Sequence, residues 1–202
     1  MSTSATLSDA ARALKRGEAV IFPTDTVYGL GVSVRDAAGP DVLYHVKERD
    51  RGKPIAWLVA SLADLDRYGV DVPDLARCLA ARYWPGPLTL IVRASDAVPE
   101  SFRSAAGTIG LRMPDNACAR ALIDEVGCPL ATTSANLSGH ASPCSFAAID
   151  PELAARVSLA LPDPAGDQTK SGLASTVLTC TPTPHIIREG TITKADIAAL
   201  EK

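Results

Sequence analysis

The sequence predicts an α/β fold in one domain spanning residues 1–202. Apolar runs of four or five residues, such as Ala19–Phe22, Ile55–Val59 and Leu88–Val92, alternate with longer segments whose apolar residues recur at helical spacing. Proline and glycine, 15 and 14 in all, punctuate the chain, so the elements should be short and sharply bounded. No internal repeat or composition break divides the chain, and at this length one core can bury roughly 70% of the unfolded surface.

In order, Ser8 is placed to cap a first helix with Ala10, Ala11 and Leu14 inward, closed by Gly17. Ala19–Phe22 then reads as a buried strand ending at Pro23, where P-T-D-T-V-Y-G-L-G begins. This places Thr24, Asp25, Thr26 and Tyr28 just past the carboxyl end of a strand, where α/β proteins bind ligands, although an ordinary Asx or Ser/Thr turn has the same composition. Val32–Val34 continues as a second strand. Pro40 opens a helix whose stripe of Val42, Leu43 and Val46 leads into K-E-R-D-R-G-K, from Lys47 to Lys53. Four cations in seven residues of a chain with net charge −3 repel one another unless an anion sits among them. A solvated helix end is the competing account.

Ile55–Val59 reads as a buried strand, Ser61–Tyr68 as a capped helix, and Pro73–Trp84 as a longer helix with Leu75, Cys78, Leu79 and Arg82 on one face. Trp84-Pro85-Gly86-Pro87 breaks that helix, read here as structural punctuation before the strand Leu88–Val92. In Thr108–Arg112 a two-residue period puts Thr108, Gly110 and Arg112 on one side and Ile109 and Leu111 on the other. Asn116 introduces a helix to Val126, closed by Gly127, and the strand Leu130–Thr132 follows. The next stretch gathers donors on Thr132, Thr133, Ser134, Asn136, Ser138 and Ser142, with Gly139 permitting a tight backbone path. Ser145 caps a helix interrupted and restarted by Pro151, and Leu159–Leu161 is apolar. Pro162–Gly172 is expected to be a mobile surface loop, suited to a lid. Ser175–Leu178 and Ile186–Arg188 bracket T-C-T-P-T-P as a hairpin, and Thr193 caps a last helix to Leu200.

A composition with 47% hydrophobic and 21% charged residues excludes the disordered class. The net acidity excludes a wholly basic nucleic-acid-binding domain while leaving room for a focal anion site. Five cysteines without a C-x-x-C pair indicate neither a disulfide framework nor a zinc site, and with no leader pattern or membrane-length apolar run the expected location is the cytoplasm. None of His45, His140 and His185 neighbours a nucleophile in a known motif, and no P-loop, G-x-G-x-x-G or H-E-x-x-H occurs. The chain instead has cations and hydroxyls at several strand ends, which suits catalysis by positioning and charge neutralisation.

P-T-D-T-V-Y-G-L-G at 23–31, K-E-R at 47–49 with K-P at 53–54, and W-P-G-P-L-T at 84–89 resemble the YrdC/TsaC family of threonylcarbamoyl-AMP synthases. So do G-L-R-M-P at 110–114, T-S-A-N-L-S-G at 133–139, S-T-V at 175–177 and R-E-G at 188–190. The resemblance implies a three-layer domain with a twisted mixed sheet flanked by helices and a concave basic site. It implies a nucleotidyltransferase that forms threonylcarbamoyl-AMP and pyrophosphate from L-threonine, bicarbonate or CO₂, and ATP with Mg²⁺. The product would pass to a tRNA threonylcarbamoyl-transferase complex. By the same resemblance Lys47 and Arg49 are catalytic; Thr26, Arg112, Thr132 and Ser175 hold threonine. Lys47, Arg49, Lys53, Thr108, Ser134, Asn136, Ser142 and Arg188 line the nucleotide side, and no side chain is assigned to a metal. Relatives often carry K-G-R-P, then Asn and His where this chain has Lys53 and Leu58, so Leu58 makes no polar contact. An RNA-binding module, contacting tRNA or double-stranded RNA, and a carbamoyl-transfer enzyme of the hydrogenase-maturation type are the alternatives.

Overall fold

The computed structural model describes residues 5–48, 51, 55–167 and 170–198. In chain order these form α1 (Leu7–Lys15), β1 (Val20–Phe22), β2 (Gly29–Ser33), α2 (Asp41–Lys47), β3 (Ala56–Leu58), α3 (Asp64–Tyr68) and α4 (Asp74–Tyr83). There follow β4 (Leu88–Arg93), β5 (Thr108–Arg112), α5 (Ala117–Val126), β6 (Leu130–Ser134), α6 (Pro151–Ala155), β7 (Leu159–Ala160), β8 (Thr176–Thr179), β9 (His185–Arg188) and α7 (Lys194–Ala198).

Most boundaries follow from local chemistry, and the departures have identifiable causes. Helix α1 begins before Ser8 because Thr6 and Asp9 form a reciprocal capping box that satisfies two otherwise unpaired amides. Asn116 caps α5 by accepting from the Ala119 amide at 2.9 Å, and Gly127 closes it at φ 78°. Strand β2 starts three residues before Val32. Gly29 and Gly31 can pair there because Phe22 and Thr132 fill the space beside them; a Cβ on Gly31 would sit 2.8 Å from Phe22 Cε1. Helix α4 is rotated from the expected face: Ala76, Leu79 and Ala80 are buried while Cys78 and Arg82 are exposed. Leu79 is common to the expected and observed faces, and Ala76 and Ala80 complete the buried one while the charged Arg82 stays in water.

The strands form one mixed sheet in the order β7-β1-β2-β6-β3-β5-β4-β8-β9. Strand alternation sends Leu30, Val32, Trp57, Leu90, Ile109, Leu111, Ala131 and Leu178 into a large apolar cluster with Leu43, Leu65, Leu79, Leu153 and Ile197 from the helices. On the opposite face α1 and α5 cover only the part bearing Val20, Phe22, Leu58 and Leu130. Beyond them the same face presents Thr132, Ala56, Gly110 and Thr89, and that uncovered half is the floor of a cavity. The helix–sheet–helix layering is thus complete except where the site lies.

The Pro162–Gly172 segment departs from the expected mobile lid. Lys170 has a wholly buried side chain that pairs with Asp163 at 2.8 Å and Asp167 at 3.2 Å and lies over the Tyr28 ring. Tyr28 donates its hydroxyl to Asp167 at 2.7 Å, and Asn116 donates to Asp163 at 3.0 Å. The Ser171 and Gly172 amides donate to the Asp25 and Thr26 carbonyls. The described part of this segment is therefore a strut fastened beneath the P-T-D-T turn.

Candidate active site

The cavity has a volume of about 430 Å³ and is lined by residues of seven strands, β2 to β6, β8 and β9, and of the turns around them. Thr26, Thr108, Arg112, Thr132, Ser134, Ser142, Ser175 and Arg188 all line it, so the four residues that the family resemblance assigns to threonine share one space with Thr108, Ser134, Ser142 and Arg188 of the nucleotide side, while Lys47 and Asn136 do not line it. Arg49 and Lys53 lie outside the described residues.

Each wall is held by bonds that explain the local sequence. Thr24 donates its hydroxyl to the Val27 carbonyl at 2.6 Å and accepts from the Thr26 amide, so the turn closes on itself and presents the Thr26 hydroxyl. Arg112, at the end of β5, is buried and donates from each of its three nitrogens. Nε donates to the Gly86 carbonyl at 3.0 Å, Nη1 to the Thr26 hydroxyl at 3.0 Å, and Nη2 to the Asp25 carboxylate. Burial pushes the Arg112 pKa down, and the adjacent Asp25 carboxylate opposes that shift. The W-P-G-P turn is consequently more than punctuation, because Gly86 supplies one of the oxygens that aim this guanidinium.

Ser175 shares a hydrogen bond with Thr89 at 2.9 Å, and Arg188 donates to the Ser175 carbonyl from Nε and Nη2 at 3.0 and 2.9 Å. Gly190 is required beneath them: a Cβ there would lie 2.2 Å from the Ala174 carbonyl oxygen and 2.8 Å from the Thr176 nitrogen. The Thr108 hydroxyl bonds Ser104 at 2.7 Å.

Lys47 does not line the cavity but reaches the back of its wall. Its ammonium, in a residue 2% exposed, donates to the Ser134 carbonyl, to Asn136 Oδ1 at 3.2 Å and to the Thr133 hydroxyl at 3.4 Å. Asn136 in turn donates to the Leu137 and His140 carbonyls, while its Oδ1 accepts from the Ser134 and Ser142 hydroxyls. Asn136 therefore shapes the hydroxyl loop and Lys47 ties that loop to α2.

The sequence assigned no site role to Arg51, Arg103 and Thr89, all of which line the cavity, and it marked Asp25 only as part of a polar turn, where the structure shows it holding the lining residue Arg112. Arg51 had no assigned partner and pairs with Asp41 at 3.3 Å on the exposed rim. Arg103 lies in no quoted motif, and Thr89 closes W-P-G-P-L-T, which reads as punctuation before a strand. Leu58 touches the cavity edge and is otherwise packed in the α1–α5 cluster, an apolar contact as expected. None of the three histidines lines the cavity. All five cysteines are free, and burial pushes the Cys118 and Cys180 thiols up to about 11 and about 12, which removes thiolate character. Among the described residues, no group of His, Cys, Asp and Glu could hold a metal ion, and no helix is long and apolar enough to cross a membrane.

The chain is 37% identical over 196 residues to a threonylcarbamoyl-AMP synthase of Bacillus subtilis, covering 96% of this chain and 56% of that one. A Pyrococcus abyssi protein of the same name is 34% identical over 178 residues, covering 88% and 52%. The chain thus spans about half the length of these curated relatives. The structure of P. abyssi Sua5 complexed with L-threonine superposes with a TM-score of 0.87 at 31% identity, over 98% of this chain and 58% of that one. Escherichia coli YciO superposes at 0.80 with 26% identity, over 92% and 89%. The sequence model of the Sua5/YciO/YrdC family, described as "Telomere recombination", matches residues 12–190, a span from α1 to the glycine beneath Ser175 that takes in the whole cavity, and the chain belongs to that family.

Proposed function

We propose that this chain is an L-threonylcarbamoyladenylate synthase, a nucleotidyltransferase that joins L-threonine, bicarbonate or CO₂, and ATP and releases pyrophosphate. The observation that carries this reading is the meeting, in one cavity, of a buried arginine flanked by threonine and serine hydroxyls with a second group of hydroxyls and a rim arginine. Arg112 grips the threonine carboxylate, with Thr26, Thr132 and Ser175 around the amino acid. Thr108, Ser134, Ser142 and Arg188 line the nucleotide side, with Asn136 fixing the loop they share.

The chemistry needs no side-chain nucleophile. The threonine amine attacks CO₂ to form a carbamate, losing a proton, and a carbamate oxygen then attacks the α-phosphorus as pyrophosphate leaves. Both steps concentrate negative charge, and preorganised cations and N–H or O–H donors stabilise it. Lys47 and Arg49 are proposed for that role and Lys53 for a phosphate contact. Mg²⁺ would enter with the ATP phosphates as part of the substrate and would supply charge neutralisation there. The adenylate is unstable as a free product by its mixed-anhydride nature, which fits direct delivery to a tRNA threonylcarbamoyl-transferase. The names of the relatives and the threonine complex of P. abyssi Sua5 support the reading.

The test is incubation with α-labelled ATP, Mg²⁺ and bicarbonate, with and without L-threonine. Labelled threonylcarbamoyl-adenylate and pyrophosphate are expected only with threonine. Pyrophosphate release independent of threonine would overturn the assignment.

A further inference from the structure

The proposed function gives no role to Asp25, the acidic member of the P-T-D-T turn. Thr24, Thr26, Val27 and Tyr28 line the cavity; Asp25 does not. Its carboxylate meets Arg112 from outside the cavity, in a pair whose side chains are 11% and 7% exposed. The Asp25 backbone is fixed as well, since its carbonyl accepts from the Ser171 amide at 3.0 Å and the next carbonyl, of Thr26, accepts from Gly172 at 3.1 Å. The strut that carries Lys170 thus holds Asp25 in place.

A guanidinium has five N–H donors in a rigid plane. Three of them go to the Gly86 carbonyl of the W-P-G-P turn and to the Thr26 hydroxyl and the Asp25 carboxylate of the P-T-D-T turn, which defines the plane and rotation of the fork. One N–H on each terminal nitrogen is left for a ligand, enough for a two-point grip on a carboxylate. We infer that Asp25 is a positioning residue: from outside the cavity it holds the Arg112 guanidinium in the orientation that recognises the carboxylate of an amino-acid substrate, and so makes the site selective for an α-amino acid over a simple amine. The inference rests on the proposed function.

Two effects oppose each other here. Asp25 lowers the positive charge offered to an incoming carboxylate, which by itself weakens binding. It is also the charged partner that offsets the burial of Arg112 and fixes its direction. Burial decides between them, because a desolvated guanidinium deprived of its counter-charge turns toward water or another oxygen, and a misdirected fork loses both of its ligand bonds.

Asp25→Asn and Asp25→Glu variants of the full chain are compared with the wild type by calorimetric titration with L-threonine, with 1-amino-2-propanol (threonine without its carboxylate) and with ATP. Asp25→Asn is expected to weaken L-threonine binding about tenfold or more while the affinities for the amino alcohol and ATP stay within about twofold, collapsing the preference for the amino acid. Asp25→Glu, which keeps the carboxylate, is expected to recover part of that preference. If Asp25→Asn fails to fold, as judged by its melting transition, Asp25→Glu alone should still show a severalfold loss confined to L-threonine. Unchanged or tighter threonine binding, or an equal loss for ATP, would overturn the inference. A wild type that binds ATP and ignores L-threonine would overturn the proposed function, and this inference with it.

Discussion

Arg112 is where the largest single effect is expected. It donates to three oxygens on two separate turns, and its substitution by alanine should lower kcat/KM for threonine by about 2–4 kcal/mol of transition-state stabilisation, with steady-state kinetics as the measurement. Arg112→Lys should recover little, because one ammonium cannot reach three oxygens in different directions and still meet a ligand. Arg112→Ala also leaves Asp25 without its charged partner, so the melting temperature should fall alongside activity. Lys47 predicts a different pattern. Its ammonium binds the back of the Ser134–Asn136 wall, so Lys47→Met should raise KM for ATP through a loosened hydroxyl loop as well as lower kcat. A variant affecting neither would remove Lys47 from the site.

At the scale of elements, the strut from Pro162 to Gly172 is the clearest case. Lys170→Met would leave Asp163, whose side chain is 2% exposed, without its cation, and the expected cost is about 3–5 kcal/mol in urea denaturation. The β8–β9 hairpin makes a second prediction. Gly190→Ala would force the Ala174 carbonyl away, displacing Ser175, and activity should fall more than the 0.5–1 kcal/mol or so that backbone entropy alone would change. Elements with their own caps were legible in the sequence: α5 starts at Asn116 and stops at Gly127 as expected. Those set by neighbours were not. Strand β2 extends back over Gly29 because Phe22 and Thr132 occupy the missing side-chain space, and α4 buries Ala76 and Ala80 beside Leu79 while Arg82 stays in water. The polar composition of Pro162–Gly172 suggested a mobile loop because composition does not reveal that Lys170 and Asp163 are buried against each other.

For the whole molecule, acid should be the first destabilising condition. Hydrogen bonds and neighbouring cations hold the carboxyls of Asp9, Asp36, Asp167 and Asp196 below the ordinary 3.8, and Arg16 and Ser158 hold Glu18 at about 2 against 4.5. Carboxyls depressed in the folded state contribute their stability above the unfolded pKa and lose it as pH falls through the folded one. The melting temperature should therefore be nearly flat from neutral pH to about 5 and fall steadily below about 4.5, as differential scanning calorimetry would show. A maximum near pH 4 would contradict this assignment.

The sequence by itself determined the alternation of helices and strands, the caps at Asn116 and Thr193, the family resemblance and the identity of many of the residues that gather in the cavity. Those features are carried by local spacing, turn chemistry and ordered motifs, none of which needs long-range contacts to be read. Only the tertiary structure decided that the second helical layer stops short of β5, β4 and β8, which turns a covered sheet face into an open floor. It alone decided that Asp25 stands outside the cavity and Lys47 behind its wall, and that the expected lid is a strut. Each of these is a question of which side of a side chain is buried and by what, and that depends on segments far apart in the chain meeting in space, as Tyr28 and Asp167 do across 139 residues.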